Sequence, residues 1–400
     1  MSKLPDGWSK VSLAQILKKV RRPIDLEPDK LYHQIGIRSH GKGIFHKEPV
    51  SGAEIGNKRI FWIKPDDLVL NIVFAWEGAV ALVSDKETGM CASHRFPTFV
   101  AEKNLCDIRF ILRYLQTPRG IWDLGLASPG GAGRNRTLNQ EDFLNLAISL
   151  PPLPEQRQIV NILNTWDEAI QLVEALIAVL KERKKGLMQG LLTGEVRDNW
   201  DTLSLGEIAE VILSSVDKKS YDDQHTVRLC NYRDVFYNSY IMNDMPFMFS
   251  TASDGEIGKC QLRLNDVIIT KDSETVDEIA QAAVVIEELD NVVCGYHLAI
   301  LRPNHEKIFG PFLREILMTP DIHHQFEKSA NGVTRFGLTL SAINNVKFPF
   351  PSLLEQREIA EVLRLCDDWV EGLQEYITHL REQKKGLMQS LLTGEVRVKV

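Results

Sequence analysis

Two fourteen-residue stretches of this chain are identical at all but one position. "KKGLMQGLLTGEVR" occupies 184–197 and "KKGLMQSLLTGEVR" occupies 384–397, 200 residues apart in a chain of 400. A long internal repeat constrains architecture before local propensity does, because both copies must close the same kind of structure. Upstream, "PPLPEQRQIVNIL" (151–163) faces "PSLLEQREIAEVL" (351–363). "DGWSKVSLAQI" (6–16) resembles "DNWDTLSLGEI" (198–208), sharing the Asp, the Trp, Ser12/Ser204, Leu13/Leu205 and Ile16/Ile208. Fainter echoes lie between: "ILRYLQTP" (111–118) with "FLREILMTP" (312–320), and Cys91-x-x-His94 with Cys294-x-x-His297. The chain therefore divides into a lobe at 1–150, a central helical spacer at 151–197, a second lobe at 198–350 and a C-terminal helical spacer at 351–400.

The helical segments carry the clearest periodicity. Ile159, Leu163, Trp166, Ile170, Val173, Ile177, Leu180, Lys184, Leu187 and Leu191 follow in alternating steps of four and three, with Lys184 the polar exception. The second copy repeats the steps at Ile359, Leu363, Cys366, Val370, Leu373, Ile377, Leu380, Lys384, Leu387 and Leu391. Such a narrow a/d seam points to helix pairing, since a helix buried alone in a core shows a wider apolar stripe. Prolines precede each helix and the glycine of "TGE" stands near each end.

As a helix, the segment from Glu155 to Thr193 would span ~58 Å. Parallel pairing would force 198–350 to bridge most of that length, whereas antiparallel pairing brings both its ends to one pole. The expected fold is α+β: two mixed α/β lobes in a pseudo-two-fold, dumbbell-like arrangement, joined by two long helices forming an antiparallel coiled coil. The C-terminal "TGEVR" would then lie near the N-terminal "DGW", as mid-chain "TGEVR" runs into "DNW".

Hydrophobic residues make up 44% of the chain, ordinary for globular domains. No apolar run approaches the ~20 residues of a membrane helix, and "MSKLPDGWSK" lacks a signal-peptide core. The six cysteines form no CxxC pair. The chain thus reads as soluble and cytoplasmic, with reduced thiols. Residues 1–200 hold 27 basic against 23 acidic side chains, and residues 201–400 hold 20 against 31. The overall charge of -7 neither establishes nor excludes DNA binding, which needs a local basic surface.

Two lobes of different sequence on a repeated frame suit a reader of two different targets. The repeated joints and the "KKGLMQ-LLTGEVR" endings resemble the specificity subunit of type I restriction-modification enzymes. In the second lobe "VRLCNYRDVFYN", "NDVIITKDSET" and "CGYHLAILRP" resemble a recurrent target recognition domain. The resemblance spans essentially the whole chain. It implies a non-catalytic subunit whose two target recognition domains read the halves of a split, asymmetric site on double-stranded DNA. It also implies helices that dock two methyltransferase (modification) subunits, with restriction/translocase subunits completing the enzyme. S-adenosylmethionine, ATP and Mg²⁺ would belong to those partners, and no cofactor to this chain.

Contacts to phosphates and base edges favour Arg, Lys, Asn, Gln, Ser and Thr on exposed loops. The candidates in the first lobe are Arg38, His40 and Lys42 in "IRSHGKG", with Arg134, Asn135 and Arg136 in "SPGGAGRNRT". In the second they are Arg233, Lys271, Ser273 and Arg335.

Catalytic patterns are weak. There is no GxxxxGK[ST] phosphate loop; "GEIGKC" (255–260) has the wrong spacing and reads as a turn. No Asn-Pro-Pro-aromatic methylation motif occurs. Glu182 with Lys184, and Glu382 with Lys384, mimic nuclease pairs but fall on the long helices. "PGGAG" (129–133) reads as a flexible loop. Each Cys-x-x-His lacks the second pair a zinc site needs. On the residues alone two other readings stay open, a coiled-coil scaffold or adaptor and a free-standing DNA-binding regulator.

Overall fold

The computed structural model describes residues 4–130, 136–192 and 200–399. It comprises two compact units, Met1–Glu174 with Glu375–Val400, and Ala175–Gln374. Each unit contains one lobe, the beginning of one long helix and the end of the other.

In the first unit, strand Ser9–Ser12 pairs antiparallel with Ala147–Leu150, just ahead of the proline joint. The chain turns into the one-turn helix Leu13–Ile16, where the Ser12 amide donates to Gln15 Oε1 at 2.8 Å. An antiparallel sheet follows in the order Leu17–Val20, Thr98–Ala101, Leu68–Leu70, Val80–Leu82. The second unit repeats this plan. Asp201–Ser204 pairs with Lys347–Phe350, and the Ser204 amide donates to Glu207 Oε2 at 2.7 Å. Its sheet runs Ala209–Leu213, Leu298–Pro303, Val267–Thr270, Ala282–Val285, in the same order, and adds Tyr240–Ile241 parallel to the last. Topology is kept where sequence has diverged.

One buried carboxylate recurs at the start of the inner strand. Asp67 accepts from the Lys64 amide at 2.8 Å and from both ends of the Arg22 guanidinium at 2.6 and 3.0 Å. Asp266 accepts from the Arg263 amide at 2.9 Å and from Arg302 at 2.8 and 3.1 Å. A buried carboxylate persists only when so paired.

The repeated "EQR" of the joints has a similar cause. Gln156 is fully buried; its amide nitrogen donates to the carbonyls of Leu105 and Pro151, and its oxygen accepts from the Asp107 amide. Gln356 does the same with Lys307, Pro351 and Phe309. A neutral amide thereby satisfies three buried backbone groups and fixes where each long helix leaves its lobe.

The long helices run Leu153–Leu192 and Leu353–Thr393. In the first unit Asp167 pairs with Lys384 and Glu174 with Arg381, so one number rises as the other falls and the helices are antiparallel. In the second unit Lys184 pairs with Asp367 at 2.6 Å. Of the seam, Ile159, Leu163, Ile170, Ile177, Ile359, Leu363, Ile377 and Leu380 are buried, while Trp166, Val173, Leu180, Val370 and Leu373 are half-buried. Ile159 and Leu163 share the first unit's core with Leu391 and Leu392, and Ile359 and Leu363 share the second's with Leu187 and Leu191. The two polar seam positions, Lys184 and Lys384, are the ones that reach across to Asp367 and Asp167.

The C-terminal cassette closes the first unit. Gly394 ends its helix with φ +75°, and a Cβ there would stand 2.4 Å from Pro5 Cγ, so only glycine fits. Arg397 donates to buried Glu155 at 2.7 and 2.9 Å, and Glu155 accepts from the Trp8 indole at 3.2 Å. The corresponding mid-chain residues 193–199 lie outside the described residues.

One local expectation is overturned. "GEIGKC" is no turn but part of the helix Asp254–Cys260. A reciprocal cap makes it so: the Ser253 amide donates to Glu256 Oε2 at 2.9 Å while Ser253 Oγ accepts from the Glu256 amide. The glycines at 255 and 258 conceal that cap from a reading by composition.

Candidate nucleic-acid interface

In the first unit, Arg38, His40 and Lys42 occupy the loop of a hairpin between strands Ile35–Ile37 and Ile44–His46, and all three are exposed. His40 adopts φ 60°, a conformation more accessible to it than to a β-branched residue. The loop tip is pinned to the short turn Ala75–Glu77. The His40 amide donates to the Glu77 carbonyl at 2.7 Å, the Gly41 amide to Gly78 at 3.0 Å, and the Ser39 hydroxyl to the Glu77 carboxylate at 2.8 Å. Arg38 lies over the Phe45 ring at 5.0 Å.

Arg136 reaches the same turn from another segment, 5.5 Å from the Trp76 ring centre. Trp76 is oriented by its indole, which donates to the Val73 carbonyl at 3.1 Å. One three-residue turn therefore touches both first-lobe groups. Arg134 and Asn135 lie outside the described residues.

In the second unit Arg233, Ser273 and Arg335 line a cleft of about 300 Å³, while Lys271 is not part of its lining. Arg233, on the helix Tyr232–Phe236, packs over Tyr237 at 5.6 Å, and Tyr232 stacks on Phe236 at 5.4 Å. Asp272–Ser273 pairs antiparallel with Phe336–Gly337, which brings exposed Arg335 to the rim beside Ser273. The turn before it requires glycine: Gly332 has φ +135°, and a Cβ would lie 1.7 Å from the Arg335 carbonyl oxygen.

The four second-lobe candidates do not stand alike. Arg233 and Arg335 are exposed. Ser273 is buried, and its hydroxyl donates to the Thr275 carbonyl at 2.5 Å, so it shapes the loop. Lys271 is half-buried, 3.1 Å from Asp272 and 4.4 Å from the Tyr296 ring centre. His297 turns Nδ1 to the same Asp272 at 3.1 Å.

Sequence reasoning missed Tyr237, Glu274 and Glu278 of this cleft; the aromatic spacing of "NYRDVFYN" was the available signal. Burial, with the Glu278 carboxylate beside it, pushes the Tyr232 hydroxyl up to about 12. It therefore stays a neutral donor at physiological pH.

Neither Cys-x-x-His pair belongs to a cluster that could hold a metal among the described residues. Cys91 is buried, its thiol pushed up to about 11 by desolvation, and His94 is exposed. Cys294 is buried with its thiol pushed well above the usual range, while His297 serves Asp272.

This arrangement suits a duplex. Guanidinium groups held over aromatic rings keep their planar donor edges, which can read guanine or hold phosphate. The carboxylates of the second cleft can accept from the exocyclic amine of cytosine.

A family model for the type I restriction modification DNA specificity domain matches residues 5–182 and again 197–378. The type I restriction enzyme MjaVIII specificity subunit of Methanocaldococcus jannaschii is 23% identical over 417 residues, which cover 99% of this chain and 95% of that protein. A putative type I restriction enzyme MjaX specificity subunit of the same organism is 31% identical over 281 residues, covering 66% of this chain and 62% of that protein. The crystal structure of the HsdS subunit from Thermoanaerobacter tengcongensis superposes with a TM-score of 0.55 at 19% identity, covering 99% of both chains, and so shares the fold. With two lobes of one topology, each matched by the same domain, the chain belongs to the type I restriction-modification DNA specificity subunits.

Proposed function

We propose that the chain reads a bipartite, asymmetric site on double-stranded DNA, one half by each unit, and directs modification and restriction subunits to it. The observation that carries this reading is the pair of topologically equivalent lobes with unlike surfaces: Arg38, His40, Lys42 and Arg136 in one, and Arg233 and Arg335 with a carboxylate-bearing cleft in the other. Phosphate contacts set register and the unlike side chains set which bases are accepted.

Two methyltransferase subunits would dock on the long helices. Leu172, Leu176 and Val179 on the first are 71%, 46% and 63% exposed, and Val362, Leu365, Trp369 and Tyr376 on the second are 42%, 47%, 64% and 52% exposed. These recur at heptad spacing on a face other than the buried seam, and apolar stripes of this kind mark partner surfaces. S-adenosylmethionine, ATP and Mg²⁺ act on the modification and restriction subunits in this reading, and this chain supplies recognition, not chemistry. Among the described residues no helix is long and apolar enough to cross a membrane, and the proposed place of action is the cytoplasm, where the DNA is.

The test is to sequence methylated sites in the host and in a strain lacking this gene. A split motif that disappears with the gene is the expected result. An unchanged methylation pattern, or a lost motif without a gap, would overturn the proposal.

A further inference from the structure

A second basic surface lies in the first unit, away from the hairpin loop. Lys19, Arg21, Arg22, Arg59 and His94 line a cleft of about 280 Å³, with Phe61 and Phe96 between them. Three segments contribute: "KKVRRP" (18–23), Arg59 ahead of strand Ile60–Trp62, and His94 after strand Cys91–Ser93. The two strands pair antiparallel, Pro23 bridges to Phe61, and the His94 amide donates to the Arg59 carbonyl at 3.1 Å, so the backbone sets the spacing of the cations.

The charge in this cleft is poorly compensated. Arg22 is neutralised by buried Asp67, but Lys19, Arg21 and Arg59 make no ion pair among the described residues, and no carboxylate lines the cleft among them. Burial, and then the Arg21 guanidinium, hold the Lys19 ammonium below its usual range. Cations left together without counter-ions are destabilising unless a ligand supplies the negative charge.

Cations spread over three segments suit a ligand whose charges are also spread, and interleaved aromatic rings tolerate sugar and base edges. Gln140 also lines it, four residues after Arg136 along the chain. We propose that this cleft binds the phosphodiester backbone of DNA and gives the first unit a sequence-independent grip. The inference rests on the reading of the chain as a DNA specificity subunit and adds where, and with which residues, it holds the strand.

The experiment measures affinity of the full chain, in the complex in which it purifies, for a labelled duplex of mixed sequence across a salt series. Each phosphate contact contributes roughly 0.9 to the slope of log K against log salt. The triple variant Lys19→Gln, Arg21→Gln, Arg59→Gln should therefore lower that slope by roughly 2 to 3 and weaken binding at least about tenfold at moderate salt. A control removing three exposed cations of the same unit outside the cleft (Lys47→Gln, Lys86→Gln, Lys103→Gln) should change the slope by less than about 1. Should the triple variant melt early, the single variants Arg21→Gln and Arg59→Gln, both at exposed side chains, should each lower the slope by about 0.9. An unchanged slope in the cleft variants, or an equal fall in the control, overturns the inference. Methylated sites are sequenced in parallel, and the cleft variant should keep the same motif at lower occupancy. If no motif depends on the chain at all, the specificity reading fails, while the mixed-sequence duplex still decides whether the cleft holds phosphates.

Discussion

At equivalent places in the two units, a lobe meets the paired long helices through a cluster of charges, and the lobe residue that faces the helices has the opposite sign in each. In the first unit Asp167 stands between two cations, Lys384 of the other long helix and Arg113 of the lobe, the latter at 2.5 Å. In the second unit Lys184 stands between two anions, Asp367 at 2.6 Å and Glu315 of the lobe at 3.5 Å. Arg113 and Glu315 are the sixth residues of the equivalent helices Ile108–Leu115 and Gly310–Leu317. The repeated helices thus supply the same Asp and Lys to both seats, and each lobe engages whichever has the opposite charge. A frame offering both signs can seat lobes of either sign.

The comparison is broken most sharply at the lysines. Glu315 is 3% exposed at its side chain and its Oε2 accepts no hydrogen bond, so Lys184→Met removes the cation between Asp367 and Glu315 and leaves Glu315 with Arg314 alone, which donates to its Oε1 at 2.5 Å. The expected loss is about 2–4 kcal/mol, toward the lower end of the range for a broken buried pair because Arg314 still compensates Glu315. Lys384→Met removes the matching lysine, but Asp167 keeps Arg113, and the loss should be about 1–2 kcal/mol. Denaturant titration of the two variants reads the difference, and equal losses would show that the lobe charge does not matter.

The joints sharpen the same comparison by predicting no asymmetry. Gln156→Leu and Gln356→Leu each strip partners from three backbone groups, and each should cost about 2–3 kcal/mol. A large inequality between them in thermal melting would mean that the two joints are not equivalent. At the proposed interface the asymmetry returns as specificity. Arg136→Ala should relax one half of the methylated motif and Arg335→Ala the other, each by about 1–2 kcal/mol of discrimination. Sequencing of methylated sites reads both, and relaxation of the same half by both substitutions would refute separate readers.

The frame was legible because its signals are local. Steps of four and three fix which face of each helix is buried, and the glycine of "TGE" fixes where the second ends. The lysine that interrupts each seam was visible too, but its partner was not: Asp367 lies 183 residues from Lys184, and spacing along one helix says nothing about register against another. Inside the lobes, strand order depends on pairings such as Val267 with Leu301, which no short window contains. The candidate residues show the same limit. Arg38 and Arg335 are exposed loop charges as composition implied. Ser273 and Lys271 look identical to them in sequence, yet their polar groups already serve Thr275 and Asp272. The "KKVRRP" run was plain to see, but its meaning needed Arg59 and His94 brought beside it by strand pairing.

The smallest effect is the most telling about the seats. Arg113→Glu gives the first unit the Asp, Lys and Glu of the second, with Leu112 where the second has Arg314, and puts the new carboxylate near both Asp167 and Lys384. Loss of the Arg113 bonds to Asp167 and to Asn164 at 2.9 Å is offset by an approach to Lys384. The net cost should be below about 1 kcal/mol, since the site is partly exposed and a countercharge is at hand. Adding Lys384→Met to Arg113→Glu should then cost about 2–3 kcal/mol, against about 1–2 for Lys384→Met with Arg113 in place, because the pair of partly exposed carboxylates is left without a cation. A double-mutant cycle by denaturant titration measures that coupling. Strict additivity would mean that the lobe residue and the frame lysine do not interact, and that the reversed signs carry no role in seating the lobes.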